Sequence, residues 1–143
     1  MIQISKGEIQ QQLADAQATL ERNPEWGILE AVGRCLHWLR DPTAPTYFRQ
    51  AALAYPAEKL PTITGHLTVG NLYRLAGDQM QAQTHFTQGY QQGLSPDVQE
   101  NPYTLQPVLK CCSFLGDDAE VERLAQRIRA INPTLWTPAF YVE

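Results

Sequence analysis

The sequence predicts an all-α protein made of stacked antiparallel helix hairpins, an α-solenoid of about seven helices. Apolar residues recur at helical spacing within segments of roughly 12 to 17 residues. Proline, glycine and aspartate separate these segments, as expected at the ends of helices. No stretch shows the sustained two-residue alternation of a half-buried strand. A set of small and aromatic residues also recurs about every 38 residues, which is typical of stacked helix pairs.

The first predicted helix carries Ile9, Leu13 and Leu20 on one stripe. It ends at Asn23-Pro24, because proline disfavours helical backbone in the residue before it. The further helices are bounded in the same way, at Asp41-Pro42, Pro56, Gly77-Asp78, Pro102 and Asn132-Pro133. We therefore expect one domain over residues 1–143, with a capping helix at 5–23, repeats at about 25–58, 62–96 and 102–133, and a C-terminal tail at 134–143.

The repetition is clearest in the second helix of each predicted hairpin. One set of residues stands at offsets 0, 4, 7 and 12; a second set with the same offsets begins 38 residues later, and a third begins 39 residues after the second. The three sets are Ala44, Phe48, Ala51 and Pro56; Ala82, Phe86, Gly89 and Leu94; and Val121, Ala125, Ile128 and Pro133. Each hairpin would leave one face uncovered, so hairpins with this pattern are expected to stack.

The middle repeat, GNLYRLAGDQMQAQTHFTQGY at 70–90, explains why small and aromatic residues alternate in this way. Small residues are needed where two helix axes approach closely, so Gly70 and Ala82 are the predicted contact positions. Tyr73 and Phe86 are the predicted large residues that fill the remaining space. Gly77 and Asp78 suit the turn between the two helices, because glycine can adopt a positive φ and aspartate can cap the helix that follows.

This stretch resembles the tetratricopeptide repeat family, and the resemblance extends over about residues 25 to 133. In that family the first helix of each hairpin lines a concave groove that takes an extended peptide or a partner helix. Carried over by repeat register, the resemblance implies a groove formed by Trp26, Leu29, Glu30 and His37, by Thr64, Leu67, Thr68, Asn71 and Arg74, and by Tyr103, Gln106, Lys110 and Ser113. For Trp26 and Tyr103, a role in sealing neighbouring hairpins is an equal alternative.

Composition excludes several classes of partner. The formal charge of −4 and the pI near 5.3 argue against nucleic acid, whose phosphates require a basic face. No run of about 18 apolar residues could insert into a membrane, and the N-terminus does not resemble a signal peptide. The odd cysteine count, with no framework spacing, favours a reduced cytoplasmic setting.

No local motif predicts a catalytic residue, a metal site or a cofactor. The histidines, His37, His66 and His85, lack ligand spacing, so any shared role would require convergence across the fold. Adjacent Cys111 and Cys112 would point about 100° apart on a helix and are expected to be buried spacers, as is Cys35. Thr43 and Asp117 are expected to cap helix starts.

The leading functional prediction is a non-catalytic protein–protein interaction module, a cytoplasmic adaptor or scaffold that binds a peptide or protein in its groove. One alternative is a helical protein that self-associates through its C-terminal end or inhibits one target, as immunity proteins do. A small all-α enzyme using His37, His66 or Asp78 ranks last. The tail holds Trp136, Phe140 and Tyr141, and either packs on the last repeat or serves as a docking strip.

Overall fold

The structure is a computed structural model that describes residues 4–135. Within that range every regular element is a helix, which confirms the all-α prediction. The helices are α1 (Lys6–Arg22), α2 (Trp26–Trp38), α3 (Ala44–Ala54), α4 (Ile63–Leu75), α5 (Gln79–Gln92), α6 (Pro96–Gln99), α7 (Pro102–Leu115) and α8 (Asp118–Ile131). The predictions for the aromatic residues of the tail, Trp136, Phe140 and Tyr141, lie outside the described residues.

The expected number of helices was one too low, because α6 lies in the segment between the second and third predicted hairpins. This helix has only four residues, too few to show an apolar period. It begins at Pro96, behind Ser95, where the missing proline N–H removes no helical hydrogen bond.

Two of the expected helix caps have different outcomes. Asp117 accepts a hydrogen bond from the Glu120 N–H at 3.2 Å, so the predicted cap of α8 is confirmed. Thr43 stands at the N-cap of α3 but its side chain makes no cap hydrogen bond. Instead Asp41 accepts from both the N–H and the hydroxyl of Thr43, at 2.8 and 2.6 Å, and these bonds lower the pKa of Asp41.

All three hairpin turns use the same C-terminal motif. Arg40, Gly77 and Gly116 each have positive φ, at 58°, 82° and 78°. The residue after each is an aspartate whose N–H donates to the carbonyl five residues earlier. These bonds run from Asp41 to Leu36 at 2.8 Å, from Asp78 to Tyr73 at 2.9 Å and from Asp117 to Cys112 at 3.1 Å. This is the Schellman arrangement, and it confirms the predicted positive φ at Gly77.

Arg40 is the one residue among the three that is not glycine. Its backbone is strained there, because a side chain disfavours positive φ. We expect Arg40→Gly to raise the free energy of unfolding by about 0.5–1 kcal/mol, since glycine adopts this conformation freely. Urea denaturation measures the change. Gln50→Gly, at an exposed position inside α3, is the matched control. Its free energy of unfolding should fall by about 1 kcal/mol. A loss of stability with both substitutions would contradict the turn assignment.

The described chain divides into two compact units, Met1–Pro56 with Asn71–Gln79 and Ala57–Gly70 with Met80–Glu143. In the first unit α1 packs on α2, and α2 packs on α3. Phe48 is 1% exposed and contacts the backbone of Gly33, where an added Cβ would lie 3.0 Å from its ring. The Trp26 and Tyr55 rings meet edge to face with centroids 5.0 Å apart.

The second unit repeats that close approach. Phe86 is 2% exposed, and an added Cβ at Gly70 would lie 2.7 Å from its ring. This contact confirms Gly70 as a position of close approach between helices. On its other side Phe86 stacks on Phe114, with ring centroids 4.8 Å apart and planes inclined by 16°. Helices α7 and α8 share a buried cluster of Leu105, Val108, Leu109, Cys112, Val121, Leu124, Ala125 and Ile128.

The repeat pattern has a consistent structural outcome. In each second helix the residues at offsets 0, 4 and 7 are buried. They are Ala44, Phe48 and Ala51; Ala82, Phe86 and Gly89; and Val121, Ala125 and Ile128. The fourth offset differs, because Leu94 is half exposed and Pro133 is exposed. The first two turns of each second helix therefore place these residues against a core, and the pattern does not extend past the helix end.

None of the helices formed by residues 4–135 combines the length and the apolar character needed to cross a membrane.

Candidate binding cleft

The second unit contains a cleft of about 370 Å³. The loop before α4, the first turn of α4, the end of α5 and the first half of α7 surround it. Its lining residues are Pro61, Thr62, Ile63, Thr64, Gln92, Tyr103, Thr104 and Pro107. None of these side chains carries a charge at neutral pH, so the cleft offers apolar surface with a few neutral hydrogen-bonding groups.

The α7 wall is held by a well-formed helix start. The Asn101 side chain accepts from the N–H groups of Tyr103 and Thr104, at 2.9 and 3.4 Å. The Thr104 hydroxyl reaches back to the carbonyls of Val98 and Asn101, at 3.1 and 3.0 Å. These bonds fix the first turn, while the Tyr103 side chain itself remains 64% exposed. A large aromatic side chain is thus presented to solvent on a rigid support.

Pro107 interrupts the hydrogen bonding inside α7. Proline has no N–H, so the carbonyl of Tyr103, four residues earlier, lacks its usual intrahelical donor. Residues four apart lie on one side of a helix. Both residues line the cleft, to which they contribute an aromatic ring and a proline ring.

The opposite wall depends on Gly65. Thr62 Oγ1 donates to the Lys59 carbonyl at 2.8 Å and accepts from the Gly65 N–H at 2.9 Å. A Cβ at Gly65 would lie 2.2 Å from the Lys59 carbonyl oxygen and 2.6 Å from that of Leu60. Only glycine lets the loop lie this close to the start of α4, and the loop in turn places Pro61 and Thr62 on the rim.

A polar network holds the segment between α5 and α7. The Gln99 amide donates to the Gly93 carbonyl at 2.7 Å, and Arg127 donates to the Gln99 carbonyl at 3.1 Å. The Glu120 carboxylate accepts a hydrogen bond from Arg123 Nε at 2.5 Å and another from the Tyr90 hydroxyl. The bond from Arg123 is the main reason that the pKa of Glu120 is lowered, and the bond to Glu120 raises the pKa of Tyr90 to about 12. The network thus ties α6 to α8.

Of the residues predicted to form the groove, those in the second unit fall at different places. Thr64 and Tyr103 both line the cleft. Leu67 and Thr68 are half-buried farther along α4. Farther along α7, Gln106 and Ser113 are half-buried and Lys110 is exposed. The structure therefore brings together two members of the predicted set at this cleft.

The predicted residues of the first unit serve varied local roles. Leu29 is 7% exposed and belongs to the core, whereas His37 is exposed. Trp26 is half-buried against Tyr55 of the same hairpin, so this contact does not test the alternative role in sealing neighbouring hairpins. Glu30 pairs with Arg34 at 3.5 Å, and the side-chain oxygen Oδ1 of Asn71 accepts two hydrogen bonds from Arg74, at 3.0 and 2.7 Å.

Sequence analysis did not predict most of the cleft, namely Pro61, Thr62, Ile63, Gln92, Thr104 and Pro107. These residues belong to a loop, to the first turns of α4 and α7 and to the end of α5. The repeat register assigns groove residues only to the first helix of each hairpin. Gln92 lies on α5, a second helix, so nothing in the sequence pointed to it. The one sequence feature that could have located the cleft is the unusual length of the loops 56–62 and 94–103, since both adjoin it.

Two further groups of reactive side chains lie in the second unit, the first formed by the buried His66 and the half-buried His85. His66 and His85 approach with their Nδ1 atoms 3.1 Å apart, and burial is the main cause that lowers the pKa of each. Cys111 and Cys112 are buried, and burial raises the pKa of each to about 12. The predicted burial of the cysteines, including Cys35, is confirmed. Thiols with such high pKa values stay protonated and are poor nucleophiles at neutral pH.

Comparison of the chain with protein-family models and with curated protein sequences yields no match. Function is therefore inferred from the chain's own residues.

Proposed function

We propose that this protein is a cytoplasmic, non-catalytic interaction module whose hairpins stack as in tetratricopeptide repeats, and that its cleft binds an uncharged, extended segment of a protein partner. The exposed Tyr103 is the observation that carries this proposal. A large aromatic side chain on a rigid helix start loses little conformational freedom on binding, and tyrosine is enriched among the residues that dominate interface affinity.

The absence of charged side chains from the cleft lining indicates which kind of partner segment would bind there. The lining offers no ion-pair partner to a charged ligand side chain, so nothing would compensate such a side chain for the water that it loses in the cleft. Neutral residues avoid that penalty. Pro61, Tyr103 and Pro107 offer apolar contact, while the side chains of Gln92 and Thr64 can form hydrogen bonds with the backbone of an extended chain. The partner segment is accordingly apolar or neutral and extended.

Support for a non-catalytic role comes from the same residues. Tyr103 is the only titratable side chain in the lining, so the cleft lacks a paired acid and base. The recurrence of one turn motif and of buried positions at offsets 0, 4 and 7 supports the repeat architecture.

Selection of random displayed peptides on the wild-type protein tests the proposal. The enriched peptides should share an uncharged stretch, and synthetic copies should bind Tyr103→Ala at least roughly tenfold more weakly than wild type. Trp38→Ala is the matched control, because Trp38 is 73% exposed on α2, and its effect should stay within about twofold. Enrichment of charged peptides, no enrichment, or equal binding to Tyr103→Ala would contradict the proposal.

A further inference from the structure

The His66–His85 pair lies outside the cleft lining and joins two helices through one hydrogen bond. His66 is buried on α4, His85 is half-buried on α5, and their Nδ1 atoms lie 3.1 Å apart. The ring centroids are 5.4 Å apart, which is the separation expected of two imidazoles that face each other through these atoms. The contact is therefore a single N–H···N hydrogen bond.

A bond of this kind leaves the pair room for only one additional proton. In a neutral imidazole one ring nitrogen carries hydrogen and the other is an acceptor. The ring that donates through Nδ1 has a free Nε2, which can take the first proton without disturbing the bond. The ring that accepts through Nδ1 already carries hydrogen on Nε2, so its only basic atom lies inside the bond. The second proton must break the bond, whichever ring donates.

The helices around the pair provide no carboxylate to compensate a second positive charge. The sequences of α4, α5 and α7 contain neither aspartate nor glutamate. Besides the two histidines, their titratable side chains are all neutral or positively charged in acid, and they are Tyr73, Arg74, Tyr90, Tyr103, Lys110, Cys111 and Cys112. Two imidazolium ions in contact would therefore repel each other without a counter-charge on these helices.

The nearer groups outside those helices do not change this conclusion. Glu120 on α8 accepts hydrogen bonds from Arg123 and Tyr90, and Asp78, which precedes α5, pairs with Arg49 at 3.4 Å. On α7 the Cys111 sulfur lies close to the pair, because an added Cβ at Gly89 would stand 2.8 Å from that sulfur and 3.5 Å from the Cβ of His66. Burial raises the pKa of Cys111 to about 12, so this thiol stays neutral wherever histidine titrates.

The pair also adjoins the walls of the cleft. An added Cβ at Gly89, four residues after His85, would stand 3.6 Å from the carbonyl oxygen of Ile63, so α5 touches the start of α4 at this point. Ile63 and Thr64 line the cleft from α4, and Gln92 lines it from the end of α5. A separation of the two helices at the histidines would therefore move one wall of the cleft relative to another.

We propose that the His66–His85 hydrogen bond is a pH-sensitive switch, which holds α4 against α5 until the pair takes up its second proton. The doubly protonated rings then repel each other and the two helices separate locally. The separation displaces Ile63 and Thr64 relative to Gln92 and weakens binding of the neutral partner segment. That last consequence rests on the function proposed above, whereas the opening itself does not.

Burial sets the direction of the expected pH dependence. It is the main cause that lowers the pKa of each histidine, and the charge of His66 lowers the pKa of His85 further. Histidines of the unfolded chain titrate at about pH 6.5, so the unfolded chain takes up protons before the folded one does. The contribution of the pair to stability is thus complete well above that pH and is lost as the pH falls below it.

Nitrogen-15 NMR of the full chain, without peptide, tests the switch between about pH 7.5 and pH 4.5. The ring nitrogens of the pair should protonate in two steps. The ¹⁵N–¹⁵N coupling across the hydrogen bond should persist through the first step and vanish in the second. Amide hydrogen exchange in α4 and α5, corrected for its intrinsic pH dependence, should then accelerate by at least roughly tenfold.

His85→Gln separates this switch from general acid destabilisation. The amide can still bond to His66 but cannot be protonated, so exchange in α4 and α5 should accelerate by less than about threefold over the same range. His37→Gln changes an exposed histidine on α2 and is the matched control, which should keep the wild-type profile. A single protonation step for the pair, coupling that persists at the lowest pH, or equal acceleration in wild type and His85→Gln would overturn the proposal.

If His85→Gln does not fold, the number of steps and the loss of coupling in wild type decide. The link to the cleft is measured separately, by titrating a selected neutral peptide at both ends of the pH range. Affinity should fall by at least roughly tenfold in acid. Absence of binding at pH 7.5 would contradict the proposed function alone, whereas equal affinity at both pH values would contradict the link between the switch and the cleft.

Discussion

Replacing Phe86 by alanine is expected to lower the free energy of unfolding by about 3–5 kcal/mol. The ring is 2% exposed, lies against the backbone of Gly70 and stacks on Phe114. Its removal leaves a cavity that α4 and α5 cannot close, because backbone already forms one of its walls. The lost transfer free energy and the cavity therefore both contribute, as in other deletions from packed cores.

Urea denaturation of purified variants measures this effect. Leu53→Ala is the control, since Leu53 is 72% exposed on α3, and its change should stay within about 0.5 kcal/mol. Phe86→Leu should fall between the two, because it retains part of the buried volume. A loss below about 1 kcal/mol for Phe86→Ala would show that this ring does not fill the core position assigned to it.

Gly65→Ala is expected to lower the free energy of unfolding by about 2–3 kcal/mol, although alanine normally stabilises a helix relative to glycine. The added Cβ would lie 2.2 and 2.6 Å from the carbonyl oxygens of Lys59 and Leu60. Backbone atoms cannot rotate aside as a side chain can, so the loop must lift from the start of α4. The hydrogen bonds of Thr62 to Lys59 and Gly65 are then lost as well.

Gly27→Ala is the matched control for that substitution. An added Cβ at Gly27, in the first turn of α2, meets nothing within 4 Å. This variant should gain up to about 1 kcal/mol, because alanine restricts the unfolded chain. Thermal denaturation should therefore shift in opposite directions for the two variants. A shift of the same sign and size in both would contradict the close approach of the loop to α4.

The features that the sequence predicted correctly are those set by local rules. Helix periodicity is local, so the three second helices and their buried offsets follow from the chain alone. The turn at Gly77 follows from the rarity of positive φ in other residues. Arg40 shows the limit of that rule, because the first hairpin forms the same turn without glycine. The hydrogen bond from Asp41 to Leu36 and the packing of α2 on α3 offset the strain there.

The features that the sequence did not predict depend on contacts between distant segments. The loop wall of the cleft depends on which carbonyls approach Gly65, and no periodicity encodes that path. The meeting of His66 with His85 requires the relative rotation of two helices, which offsets along one helix do not determine. Leu29 was assigned to a groove by repeat register, whereas its side chain lies in the core of the first unit.

Chemical-shift mapping with a selected neutral peptide tests the central claim most directly. In ¹H–¹⁵N spectra the largest shifts are expected for the amides of residues 62–64 and 103–104, which line the cleft. Pro61 and Pro107 have no amide proton and give no signal. Amides of α1, whose side chains are none of them buried, serve as the internal reference and should not shift. Shifts centred elsewhere, or none at saturating peptide, would contradict binding at this cleft.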